Sequence, residues 1–206
     1  MRRKIRLTLV GLAMAALSSC LGGRPIQYFT ISFPPAPRPA AGVYPVELLV
    51  GHISAPEILQ DQPIVYRSGR NQIGVYQYHL WAEPPAQMVR TVLIRRLRAS
   101  GRYQSVTQLG GSTQGHFVLH GRLFDFEEVD TGAAVTARVT MEFELIDRTT
   151  HKAVWNHFYS RTEPVQGKEI SNVVAAIDHN LEQGLSEVLA GLDTYFSSHP
   201  PPKPGT

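Results

Sequence analysis

The sequence has a single cysteine, Cys20, in 206 residues. An intrachain disulfide is therefore excluded, and with it the disulfide-rich class of small secreted domains. Catalytic signatures are missing as well. There is no HExxH, GxSxG, GxGxxG or Walker loop. The glycine-rich run from Leu109 to Gly115 lacks the Lys-Ser/Thr ending of a phosphate-binding loop and reads as a turn. Metal-ligand spacing is absent too. His116 and His120, four strand residues apart, stand about 13 Å from each other, too far to share one ion. Residues 7–17 are apolar but too few to span a bilayer comfortably.

An excess of positive charge is also lacking, despite a formal net charge of +3. Arg2, Arg3, Lys4 and Arg6 lie in the first 19 residues, which contain no acid. Taking these four from the 20 basic residues leaves 16 against 17 acidic ones. The remainder carries no surplus of cations to neutralise phosphates, so nucleic-acid binding is not expected.

The first 19 residues read as a leader. A basic segment at residues 2–6 precedes the short apolar run and then Leu17-Ser18-Ser19-Cys20. Small residues beside a cysteine suit a lipoprotein signal peptidase, with Cys20 supplying the thiol that is lipidated. The three acyl chains implied by that class hold a protein firmly on a membrane. Leu21 and Gly22 follow, so the aspartate that retains enteric lipoproteins in the inner membrane is missing. The expected location is the periplasmic face of the outer membrane.

Residues 20–44 are expected to form a tether, because residues 33–42 are rich in proline and alanine and favour an extended chain. Within it, the aromatic segment 27–33 has two readings. It is a strand added to a sheet edge, in this chain or in a neighbour, or it is simply part of the tether. The folded domain is placed at residues 45–197 and a disordered proline-rich tail at 198–206.

Residues 46–53 are apolar and β-prone and read as a central strand. Residues 64–67 and 72–79 form a hairpin around Ser68-Gly69-Arg70-Asn71. Pro84 and Pro85 suit the first turn of a helix that continues through Met88, Val89, Val92, Leu93 and Leu97 and stops at Gly101. The arginines at 95, 98 and 102 fall on one face, read as solvated. Residues 103–107 are a short strand, and residues 116–128 and 134–147 are long strands joined through Asp130-Thr131-Gly132. In the second of these, Val135, Ala137, Val139, Met141, Phe143 and Leu145 alternate with polar residues, so one face is buried. Its partner has apolar residues on both faces, from a bulge near Gly121 or from a second buried surface. Asp125, Glu127, Glu128 and Asp130 read as a solvated turn. Residues 153–162 are the last strand, and residues 169–196 a long amphipathic helix with Gly184 and Gly191 near its apolar stripe. The expected fold is a two-layer α+β domain, a largely antiparallel sheet with two helices on one face.

Arg67, Asn71 and Trp81-Ala82-Glu83-Pro84 at this spacing, after a Tyr28-Phe29-Thr30-Ile31 segment and a lipidated cysteine, resemble the PqiC-like family of ABC-type transport auxiliary lipoproteins. The resemblance implies a non-catalytic lipoprotein subunit with no cofactor. Its partners would be a protein with mammalian-cell-entry (MCE) domains and an ABC transporter or associated inner-membrane subunits. Together they would move lipids between membranes, with this chain docking the assembly at the outer membrane and forming a homo-oligomer. The alternative is an envelope lipoprotein that activates or assembles a peptidoglycan synthase or other envelope enzyme. Tyr66, Tyr76, Tyr78 and Trp81 are the candidate partner surface, since amphipathic rings give contact area at little entropy cost. Trp81 has a second reading, as a core plug, with Glu83 helping to cap the following helix and Arg67 pairing with Glu83.

Overall fold

The structure is a computed structural model that describes residues 24–32, 42–69, 71–110 and 115–200. Its spine is β6 (Phe117–Asp130), 14 residues long. One edge of β6 pairs antiparallel with β7 (Val135–Asp147), which pairs antiparallel with β8 (Lys152–Pro164). The other edge is shared. β2 (Tyr44–Ser54) runs parallel to its first half, from Leu48 opposite Phe117 to Ser54 opposite Arg122. β3 (Pro63–Ser68) runs parallel to its second half, from Val65 opposite Glu127 to Ser68 opposite Asp130. A 3-10 turn at Glu57–Leu59 lets the chain pass from one to the other without changing direction.

From this shared edge the sheet forks. In one arm β5 (Tyr103–Gln108) lies parallel to β2. In the other β4 (Gln72–Trp81) returns antiparallel to β3, and β1 (Gln27–Phe29) lies parallel to β4. The α+β class therefore holds, with a sheet of mixed character. Antiparallel pairing supplies the longest ladders, and parallel pairing joins the arms to the spine.

Both helices back the same face, and the core lies between them and the sheet. Helix α1 (Pro85–Ala99) begins where Pro84 ends the extended chain, and it packs on β2 and β5. Helix α2 (Ile170–Ser198) packs on β7 and β8. The inward residues of β7 are buried as the alternation requires. Gly184 makes the contact with α2 close. A Cβ there would sit 2.8 Å from the Tyr159 ring and strike the Met141 methyl. Buried Asn180 locks the register of the same layer. It accepts a 2.6 Å hydrogen bond from the Tyr159 hydroxyl and donates to the carbonyls of Ala137 and Arg161. Burial pushes that tyrosine up to about 12.

Several sequence expectations need correction. The arginine face at 95, 98 and 102 is solvated only in part: Arg95 and Arg98 are exposed and Arg102 is half-buried, and arginines of this segment also bond across the layers. Arg96 pairs with Glu182 of α2 at 3.2 Å, and Arg98 donates to the Val106 carbonyl. Arg102 donates through Nε to Asp193 at 2.6 Å and stacks on Tyr44. These side chains staple the layers together, because each reaches an acceptor on a neighbouring element. The β6 ladders are irregular at two places: on the β2 side the register shifts between Val50 and Ile53, opposite Leu119 and Gly121, and on the β7 side Phe124 bulges between Leu123 and Asp125. That extra residue lets Leu123 and Phe126 both enter the core.

The tether is the largest revision. Gln27–Phe29 is a strand of this chain's own sheet, Ile31 is buried in the core, and the Ser32 amide donates to Asp178 of α2. The chain is fastened again at Gly42, whose carbonyl accepts from Arg102, and at Tyr44, whose hydroxyl donates to Asp193 of α2. Residues 33–41 thus connect two fastened points of the fold rather than lipid to head. Cys20, the proline-rich stretch 33–41 and the tail beyond residue 200 lie outside the described residues.

Candidate interaction site

The β3–β4 hairpin presents two faces, and each is fixed by a carboxylate of β6. Glu127 points to the face turned from the helices, as does Arg138 opposite it on β7. Arg67 Nε donates to Glu127 Oε1 at 2.9 Å, and Nη2 donates to Oε2 at 3.3 Å. Arg138 also donates to Glu127, and it lies 3.4 Å from Asp125. The Glu127 side chain is only 3% exposed, so its charge is compensated entirely by this pair of guanidiniums. The Arg67 guanidinium, gripped by Glu127, is held above its ordinary range.

Glu128 points to the opposite face. There Tyr76 donates its hydroxyl to Glu128 Oε2 at 2.8 Å. Burial raises both groups, since removal from water disfavours the carboxylate and the phenolate alike. The Tyr66 ring lies 5.0 Å from Tyr76 and covers Gly74, where a Cβ would stand 2.7 Å from the ring. The aromatic row continues through His79 to Phe29 of β1, with centroid separations of 5.4 and 6.0 Å.

The structure brings the sequence-identified residues together only in part. Tyr66 and Tyr76 form one cluster, while Tyr78 lies farther along β4 beneath Arg24, whose guanidinium stands 6.0 Å from its ring. Trp81 is fully buried, 5.3 Å from the Phe126 ring, and it offers no contact surface. It plugs the core where β4 passes into α1, with its amide held by the Gln62 carbonyl at 2.7 Å. Arg67 pairs with Glu127, not with Glu83. Glu83 precedes the cap residue Pro84, and α1 starts without a side-chain cap. Asn71 lies exposed in the hairpin turn.

Two features stand apart from the site residues read in the sequence. The acidic run 125–130 is not a solvated turn, because Glu127 and Glu128 are buried in the sheet. The signal for this was Arg67 and Tyr76 on the hairpin, but it is read only once β3 is known to pair with β6. The second feature is the sheet face turned from the helices. Ile73, Val75, Phe124 and Phe158 on it are 43%, 46%, 36% and 61% exposed. An open polar cleft of about 530 Å³ on the same face is lined by His52, His120, Arg122, Glu142 and Glu144, among others.

The family model for the ABC-type transport auxiliary lipoprotein component matches residues 29–188. Among curated proteins no match is found. Of solved structures, a DUF330 protein from Xanthomonas campestris superposes with a TM-score of 0.73 at 22% identity, covering 84% of this chain and 97% of that one. An uncharacterized protein superposes with a TM-score of 0.66 at 16% identity, covering 82% and 99%. Both show the same fold.

Proposed function

This chain belongs to the family of ABC-type transport auxiliary lipoprotein components, and from that premise we propose that it is the non-catalytic, lipid-anchored subunit of an intermembrane lipid transport system. Cys20 carries the anchor, and the head docks the assembly at the periplasmic face of the outer membrane. The partner is an MCE-domain protein served by an ABC transporter or associated inner-membrane subunits.

The observation that carries this reading is the uncovered sheet face. A two-layer domain buries one side of its sheet under helices and leaves the other to water or to a partner. Here that other side holds the exposed rings of Phe124 and Phe158 and the exposed aliphatic residues Ile73 and Val75. Exposed apolar groups on one face, here two groups on either side of the Arg67–Glu127–Arg138 cluster, suit a protein-contacting surface. The same face would serve self-association into a ring.

A pair of variants tests the surface. Phe158→Asp and Val75→Asp place charge on exposed positions and leave the core untouched. Each should release the transporter subunits from the purified lipoprotein while its melting temperature is preserved. Retention of those subunits by both variants would remove this face from the account. Tyr76→Asp is a poor probe, because it sets a second carboxylate against Glu128.

A further inference from the structure

We propose that the sheet edge formed by β1 and the adjoining end of β4 lies against the membrane that holds the acyl chains of Cys20, with Ile26 and Tyr28 in the lipid interface. The inference rests on acylation of Cys20. It follows from how few residues separate Cys20 from β1.

Only Leu21, Gly22 and Gly23 separate Cys20 from Arg24. Fully extended, that stretch reaches about 14 Å. Arg24 is not free to roam, because its guanidinium lies over the Tyr78 ring and β1 is paired with β4 three residues later. The proline-rich stretch, which would otherwise have served as a spacer, comes after β1 and runs between two points fastened to α2. The three residues between Cys20 and Arg24 are too few to hold the head far from the bilayer.

The chemistry of this edge suits a lipid surface. Ile26 is 52% exposed and Tyr28 is 61% exposed, and among the described residues no strand lies beyond β1. Tyr28 pairs with Leu80 and so shares a strand face with Tyr78, which adds a second ring. Tyrosine rings belong at the headgroup level, apolar body inward and hydroxyl in the wet layer. Arg24 stands beside them to meet phosphate. The chain from residue 21 to 46 contains no acidic residue that would repel an anionic headgroup. Phe158, by contrast, sits on β8, five strand spacings away along the path β1-β4-β3-β6-β7-β8, about 24 Å. The Phe124–Phe158 part of the protein-contacting face is therefore separate from the lipid edge, while Ile73 and Val75 lie at the other end of β4 from the Gln27–Phe29 pairing.

The test uses the full-length lipoprotein, with acylation of Cys20 read from its mass. With the Cys20 thiol acylated, Ile26→Cys or Phe158→Cys introduces one free thiol for a fluorophore. Each labelled protein is placed in vesicles of phosphatidylethanolamine and phosphatidylglycerol with brominated acyl chains. The proposal expects several-fold stronger quenching at position 26 than at 158. Equal or absent quenching at position 26 in an acylated protein overturns it and leaves the anchor intact. So does a label at 26 that is unquenched in vesicles but cross-links to protein in the native envelope. A protein without acyl chains on Cys20 overturns both the proposal and the anchor on which it rests.

Discussion

Arg67 Nε lies 2.9 Å from Oε1 of Glu127, sixty residues farther along the chain. The bond ties the hairpin to the middle strand of the sheet, and Arg138 completes the compensation from the other side. Glu127→Ala would leave two guanidiniums facing each other in a partly buried site. The expected loss is about 2–4 kcal/mol in urea unfolding. Arg67→Lys should lose part of this, since an ammonium cannot reproduce the two-pronged contact. Near-neutral behaviour of Glu127→Ala would show that the cluster does not hold the hairpin.

Glu128 gives a pH dependence of definite sign. Burial raises it, so the folded state holds this proton more tightly than the unfolded chain does. The favourable contribution is complete below the ordinary carboxylate range and is lost as pH rises through the raised value. Glu128→Gln keeps an acceptor for Tyr76 without the charge. It should be more stable than the parent at neutral pH, and the gain should vanish in acid. Melting curves across that range check it, and a gain that grew in acid would contradict the sign.

Gly184 is a packing requirement. Any side chain there meets Tyr159 and Met141. Gly184→Leu should cost about 1–3 kcal/mol by overpacking. Denaturant midpoints measure this, and an unchanged midpoint would mean that α2 can lift from the sheet freely.

His151 has a φ of 56° in the turn between β7 and β8. The left-handed region costs a residue with a Cβ about 1–2 kcal/mol. His151→Gly removes that strain but loosens the unfolded chain, so the net gain is expected at about 0.5–1 kcal/mol. A melting temperature that falls would show that the histidine ring makes a contact that outweighs its backbone strain.

Much of this fold was legible because the local signals agree. The alternation of Val135 to Leu145, the paired prolines before α1 and the glycines of α2 each place one element without reference to the others. What was not legible depends on pairing between distant strands. Glu127 looks like a surface acid until β3 is laid beside β6, and the pairing of Arg96 with Glu182 appears only once α2 is laid beside α1. Trp81 was ambiguous for the same reason, since its burial depends on Phe126 arriving from another strand. Composition reports the stiffness of the proline-rich stretch, not which of its ends are tied. Only the bonds from Ser32 and Tyr44 to α2 reveal that.

The central claim is association with a transport assembly. Affinity purification of the full-length lipidated protein from its native envelope in mild detergent, with mass-spectrometric identification of what accompanies it, tests that claim most directly. The account predicts recovery of an MCE-domain protein together with ABC transporter or associated inner-membrane subunits. Recovery of a peptidoglycan synthase with no transporter component would contradict it.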